Sequence, residues 1–149
     1  MSSALKQTVT EAMKAALKAG DKRRLGVIRL ITAALKQVEV DTRKALSDAD
    51  VLGILDKMVK QRRDSQRQYQ DAGRDDLAAQ EAYEIEVLQE FLPQALTDEE
   101  IQALIETALA ESGASGMADM GKVMGLIKPK AQGRADMGRI SGLVRARLS

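Results

Sequence analysis

The chain has 149 residues, with 23 basic and 22 acidic side chains and a formal net charge of +1. It contains no cysteine and no histidine, which excludes disulfides, thiolate nucleophiles, imidazole bases and Cys/His zinc sites. Aromatic residues are 2% of the chain and β-branched residues are sparse, so the composition predicts an all-α fold.

Four amphipathic helices are predicted in a first domain, residues 1–92. Gly20 suits the left-handed position that ends a helix, and Asp21 caps the next helix. Ser47 with Asp50 forms a capping-box pattern that begins a long third helix. Pro93 disfavours helical geometry in the residue before it and so ends the fourth helix. The predicted helices cover about residues 3–18, 21–38, 47–70 and 75–92.

Three further helices are predicted in a second domain, residues 93–149, which gives one bundle of four helices and one of three. Thr97 with Glu100 is a second capping-box pattern, and Asp136 caps the last helix. Gly133 ends the sixth helix. The predicted helices cover about residues 97–112, 117–127, with a continuation past Pro129, and 136–148. No internal repeat is evident.

The near-zero net charge conceals alternating charge blocks, which create strong local potentials. Six basic residues and one acid lie between Lys14 and Arg29, and six against two lie between Lys57 and Arg74. Residues 75–90 then hold six acids and no base. The segment 120–148 returns to seven basic residues and one acid, with five of the eleven glycines.

Four of those glycines lie inside predicted helices, where each costs roughly 0.5–1 kcal/mol relative to alanine. They form the pairs Gly121/Gly125 and Gly138/Gly142, one turn apart on each of the last two helices. Two interpretations are open. The favoured one is a tight helix crossing, in which small residues let backbones approach. The other is close approach of an anionic ligand, held by the neighbouring cations.

Other motifs have simpler explanations. Residues 116–122 fit the phosphate-loop pattern G-x-x-x-x-G-K, but Val123 replaces the metal-binding Ser or Thr and a helix precedes the pattern, so we reject it. The basic run 60–63 is typical of a solvated helix face, with nucleic-acid contact as the alternative. The acids of residues 81–86 also indicate a solvated face. We predict no metal site, no cofactor and no catalytic constellation.

Several short motifs, in order along almost the whole chain, resemble the YqeY-like proteins of the GatB/YqeY family. The motifs that carry the resemblance are Arg29-Leu30-Ile31, Lys60-Gln61-Arg62-Arg63-Asp64-Ser65, Ala72-Gly73-Arg74, Phe91-Leu92-Pro93, Asp119-Met120-Gly121-Lys122-Val123-Met124 and Gly133-Arg134-Ala135-Asp136. These proteins are stand-alone relatives of the C-terminal region of the B subunit of tRNA-dependent amidotransferase.

The resemblance implies two helical bundles and an association with tRNA. The resemblance also implies a carbon–nitrogen ligase activity with glutamine as amide donor. We assign that activity to the amidotransferase complex, because this chain lacks an ATP site and a glutaminase nucleophile. The implied contacts include the glycine–cation motifs at residues 121–124 and 133–136.

We therefore expect a tRNA-binding or tRNA-associated helical module that contacts RNA through its cationic side chains. The alternatives are a protein-interaction module that docks on an aminoacyl-tRNA synthetase or an amidotransferase subunit, and an amidotransferase-type enzyme acting within a complex. We expect no membrane span and a cytoplasmic location. The candidate nucleic-acid contacts are Lys60, Arg62, Arg63, Gly121, Lys122, Lys128, Lys130, Gly133, Arg134 and Arg139.

Overall fold

The computed structural model describes residues 3–149 and contains only helices, turns and loops in that range, which confirms the predicted all-α fold. The α-helices of this part of the chain are α1 (Ala4–Ala19), α2 (Lys22–Thr42), α3 (Asp48–Asp71), α4 (Asp75–Gln89), α5 (Asp98–Ser112), α6 (Met120–Ala131) and α7 (Met137–Leu148). A short 3-10 helix, Met117–Asp119, precedes α6.

The helix ends follow local side-chain chemistry. Both predicted capping boxes are present, since Ser47 and Thr97 each accept from the backbone N–H three residues on, and the acid there accepts in return. Gly20 has φ +71° and ends α1 in the left-handed conformation. Asp136 accepts from the Gly138 N–H and caps α7.

The fourth helix ends earlier than predicted, at Gln89 rather than next to Pro93. The backbone N–H groups of Glu90, Phe91 and Leu92 each donate to the carbonyl three residues earlier. Such bonds belong to a tightened terminal turn, which satisfies the last carbonyls of a helix. The clash with proline affects the residue directly before it, so Pro93 did not determine where the α-helix stops.

The chain divides into two compact units, the first ending at Leu92 and the second comprising Pro93–Ser149. The first unit contains α1 to α4, with the densest packing between α3 and α4. Its core is aliphatic, with Phe91 as the buried aromatic residue. Among the largest fully buried side chains are Ile28, Ile31, Leu35, Leu55 and Leu88.

The second unit is a three-helix arrangement in which each helix contributes one apolar stripe. The core residues are Ile101, Ile105 and Ala108 from α5, Val123, Ile127 and Ala131 from α6, and Ile140, Val144 and Leu148 from α7. Because a helix with one buried stripe exposes its opposite side, α6 and α7 each present a full outer face to solvent. Within the described residues, no helix combines the length and apolarity needed to cross a bilayer.

Candidate nucleic-acid interface

The helices α6 and α7 are copies of one sequence pattern. Residues 118–131, ADMGKVMGLIKPKA, align without gaps with residues 135–148, ADMGRISGLVRARL. Six of the fourteen positions are identical, and five more exchange Lys with Arg or Val with Ile. The statement that the chain has no internal repeat is therefore wrong. The conservative exchanges and the single proline, Pro129, concealed the match.

The two copies also fold alike, each giving a helix of 12 residues. Buried positions coincide: Val123 corresponds to Ile140, and Ile127 to Val144. The glycine pairs coincide as well, and all four glycines are exposed. The repeat therefore fixes both an inner apolar stripe and an outer face of glycine and cations.

The glycines do not sit at a helix crossing, so the favoured packing interpretation is wrong. A Cβ built on Gly121, Gly125 or Gly142 would meet no atom within 4 Å. A Cβ on Gly138 would approach only Asp136 Oδ1, at 3.2 Å, which belongs to the cap of its own helix. Since Gly121 and Gly125 lie on the side of α6 opposite Val123, they leave an open strip of backbone on the outer face.

Pro129 adds a further feature to this strip. It lies inside α6, and it has no N–H to donate to the carbonyl of Gly125, four residues earlier. The ring of Pro129 takes the place of that donor beside the Gly125 carbonyl. The outer face of α6 thus combines an open strip of glycine backbone with a proline ring and cationic side chains.

The three lysines of α6 are exposed and form no ion pair within residues 3–149. Lys122 acts on Asp119, whose pKa is lowered mainly by the N–H of Ser115 and less by the charge of Lys122. Lys128 and Lys130 lie in the last turn, where cations are favoured by the helix dipole. Lys122 and Lys128 therefore place positive charge on both sides of the glycine strip, while Lys130 lies on the side of α6 that faces α5.

The corresponding cations of α7 are mostly neutralised by α5. Arg139 donates to Asp98 Oδ1 at 2.8 Å, and Arg147 pairs with Glu106. The hydrogen bond from Arg147 lowers the pKa of Glu106, and the same bond raises the pKa of Arg147. Arg145, the counterpart of Lys128, is exposed and forms no ion pair among the described residues. The sequence interpretation missed Arg145, which the repeat would have identified.

Gly133 and Arg134 have structural roles in the turn between α6 and α7. Gly133 is buried and has φ +78°, a conformation that favours glycine. Arg134 Nε donates to the Gln94 carbonyl at 2.9 Å, and the Arg134 carbonyl accepts from Leu96 N at 2.8 Å. This turn therefore fixes the segment that leads into α5.

The predicted contacts in the first unit are of two kinds. Arg62 donates from Nε to Glu84 Oε1 at 3.1 Å and from a terminal nitrogen to the Met58 carbonyl at 3.2 Å. Its side chain is only 16% exposed, so this pair is a link between α3 and α4. Lys60 and Arg63 are exposed and form no ion pair within residues 3–149, as expected of a solvated helix face.

A shallow groove of about 620 Å³ lies between α5 and the end of α6. Its lining includes the apolar residues Leu96, Leu104 and Pro129 and the charged residues Glu100, Lys130 and Arg134. The mixture of apolar residues and opposite charges does not favour a phosphate backbone. Of the predicted contacts, the groove brings Lys130 and Arg134 together.

The sequence of residues 6–148 matches the family model described as Yqey-like protein. This chain belongs to the YqeY-like family. The matched range covers both compact units of the YqeY-like chain, including the repeated helices.

Two curated fungal proteins are similar to this YqeY-like chain, and both are named altered inheritance of mitochondria protein 41, mitochondrial. The one from Clavispora lusitaniae is 36% identical over 115 residues, which is 75% of this chain and 66% of the relative. The one from Pyrenophora tritici-repentis is 28% identical over 124 residues, 80% of this chain and 68% of the relative. The YqeY-like chain thus matches about two thirds of each relative. The relatives are named as mitochondrial, and the cytoplasmic location of this chain stays a prediction.

Replacing Gly121 and Gly125 of the YqeY-like chain together by alanine is expected to raise the free energy of unfolding by about 1–2 kcal/mol. Alanine has the higher helix propensity, and no atom obstructs either new methyl group. Urea unfolding of the double variant measures the change. A loss of stability would show that these positions do pack against something, and Gly20→Ala, at φ +71°, is the matched destabilising control.

Proposed function

We propose that this YqeY-like protein is a non-catalytic tRNA-binding module, with the outer face of α6 as its main contact and Arg145 of α7 as an additional one. The observation that carries the proposal is the pair of exposed lysines, Lys122 and Lys128, that flank the open glycine strip, with the exposed Lys130 in the last turn of the same helix. None of them has an ion pair in the described part of the chain. Unpaired cations of this kind bind a phosphate backbone and release its counterions.

Folded RNA fits this face better than other polyanions. Double-stranded RNA is recognised through phosphates and 2′-hydroxyls rather than through base edges. The lysines supply contacts to phosphates. Because Gly121 and Gly125 have no side chains and no atom obstructs the space beside them, a ribose can approach the backbone of α6 closely.

The chain is poor in groups that stack on unpaired bases. Its aromatic residues are Phe91, Tyr69 and Tyr83, all in the first 92 residues. Phe91 is buried, and the ring of Tyr83 is covered by the guanidinium of Arg23 at 3.8 Å. Single-strand binding by aromatic stacking is therefore disfavoured, and a structured RNA is the better ligand.

Titration of the full chain with unfractionated tRNA tests the proposal. With three phosphate contacts, we expect the affinity to fall about 30-fold between about 50 and about 200 mM monovalent salt. Fluorescence anisotropy of labelled tRNA measures both affinities. A double-stranded DNA of similar length is the matched competitor, and it should bind more weakly because it lacks 2′-hydroxyls. Affinity that does not change with salt would contradict the proposal.

Docking on an aminoacyl-tRNA synthetase or an amidotransferase subunit is the second proposal for a partner. The acidic residues of α4 and α5 are the candidate surface for such docking. Several of them already serve internal contacts, since Glu84 pairs with Arg62, and Asp98 and Glu106 pair with α7. The acidic surface therefore supports this proposal less strongly than the lysines of α6 support RNA.

A further inference from the structure

A second candidate binding surface lies in the first unit, where α1 ends and α2 begins. A groove of about 440 Å³ opens there, and its lining consists of Leu17, Gly20, Lys22, Leu25, Gly26 and Arg29. These residues belong to the two helices and the turn that joins them. The groove lies entirely within the first unit, so it is a different site from the face of α6.

The floor of the groove is apolar and accessible. Leu17 is 60% exposed, an unusual position for a leucine whose neighbours Ala16 and Leu25 are buried. A Cβ built on Gly26 would meet no atom within 4 Å, so this helical glycine widens the groove at the side of α2. Leu17 and the backbone at Gly26 thus leave space for an apolar side chain from a partner.

The side chains at the edges of the groove are basic, and acids of the described residues do not pair with them. Lys22 and Arg29 line it, and Lys14 and Lys18 lie within one turn of Leu17 on α1. None of these four cations forms an ion pair within the described range.

The neighbouring charged groups do not neutralise these four cations. Asp21, the one acid between residues 14 and 29, accepts from the Arg24 N–H as the cap of α2. Arg24 itself pairs with Glu90, and Arg23 lies over the Tyr83 ring at 3.8 Å. The two arginines next to Lys22 are thus held by the first unit, while the cations at the groove remain available to a partner.

We propose that this groove docks an acidic amphipathic helix of another protein. Its apolar side chains would contact Leu17 and Leu25, and its carboxylates would pair with Lys22 and Arg29. A helix with apolar residues three and four apart is the segment that fits a groove between two helices. The small contact area predicts weak, transient binding.

Charge complementarity and the apolar floor together select this occupant. An RNA backbone would neutralise the cations but would leave Leu17 in water. A neutral apolar helix would cover Leu17 but leave four cations beside it without partners. Only a ligand that offers both carboxylates and apolar side chains satisfies the whole surface. This docking does not rest on the proposed contact between α6 and RNA.

A fluorescein-labelled 16-residue helical peptide of Glu, Leu and Ala, with Leu at positions three and four apart, is the probe. We expect it to bind the full chain with a Kd in the range of about 10–100 μM. The double variant Lys22→Glu/Arg29→Glu should bind at least about tenfold more weakly, because two attractive pairs become repulsive. Leu17→Gln should weaken binding about fivefold, through loss of apolar burial.

Matched controls separate this surface from general charge and general apolarity. Lys57→Glu/Lys60→Glu makes the same charge change elsewhere in the first unit, and Leu30→Gln changes another exposed leucine, of α2. The Lys57→Glu/Lys60→Glu variant should not change the Kd, Leu30→Gln, one turn from Gly26, should change it less than Leu17→Gln does, and circular dichroism should show all variants folded. A peptide with Gln in place of Leu should not bind. Equal binding of that peptide, affinity unaffected by Leu17→Gln, or competition by tRNA that depends on Lys22 and Arg29 would overturn the proposal.

Discussion

Replacement of Lys122, Lys128 and Lys130 together by glutamate is expected to weaken tRNA binding by at least about 200-fold at about 100 mM salt. Each phosphate contact contributes about sixfold to the affinity under these conditions, through counterion release. The slope of log affinity against log salt should also fall by about two to three. The three side chains are exposed and form no ion pair within residues 3–149, so the fold should be retained, with a loss of about 1–2 kcal/mol from acids in the last turn of α6.

The matched control is a second triple variant, with Lys36, Lys44 and Lys57 replaced by glutamate. These lysines are exposed in the first unit, and the change in net charge is the same. Its affinity for tRNA should fall less than about threefold, because these lysines are not part of the proposed contact and exposed charges away from the bound phosphates are screened by salt. Equal losses in both triple variants would mean that net charge, and not the outer face of α6, determines binding.

Replacement of Arg62 by alanine is expected to lower the free energy of unfolding by about 2–3 kcal/mol. The Arg62 and Glu84 side chains are only 16% and 12% exposed, so the variant leaves a carboxylate that has lost its cation in a partly buried position. Glu84 would keep the hydrogen bond from Gln80 Nε2, at 3.2 Å. Urea unfolding measures the difference.

Two comparisons make the Arg62 experiment specific. Alanine at Lys60 or Arg63, the exposed neighbours of Arg62 on α3, should change stability by less than about 0.5 kcal/mol. The double variant Arg62→Met/Glu84→Leu removes both charges and should recover most of the loss. If Arg62→Ala is as stable as Arg63→Ala, the pair does not link α3 to α4 in solution. If Arg62→Ala loses stability as expected, it cannot be used to test RNA binding, because a lower affinity could then result from unfolding.

Helix positions were predictable from the sequence because their determinants are local. The capping boxes at Ser47 and Thr97 and the left-handed Gly20 lie within a few residues of the ends they define. The end of α4 was misplaced because the tightened turn at residues 90–92 has no comparable side-chain signal.

The candidate site was only partly predictable, because accessibility depends on distant partners. Arg62 pairs with a residue 22 positions away, and Arg139 with one 41 positions away. No spacing rule on a single helix could separate these arginines from Lys60 or Lys122. The exposure of Gly121 and Gly125 was nevertheless available from the sequence, since both lie opposite Val123 on the helix. The repeat in α7 shows the same arrangement and would also have revealed Arg145.

Contact between RNA and the outer face of α6 is tested most directly by a ¹H–¹⁵N correlation spectrum of the labelled full chain, recorded during titration with tRNA. We predict that the largest shift changes or signal losses occur at the backbone amides of Gly121, Lys122 and Gly125, with smaller ones near Arg145. Changes confined to the first unit, or spectra unaffected by saturating tRNA, would contradict that contact.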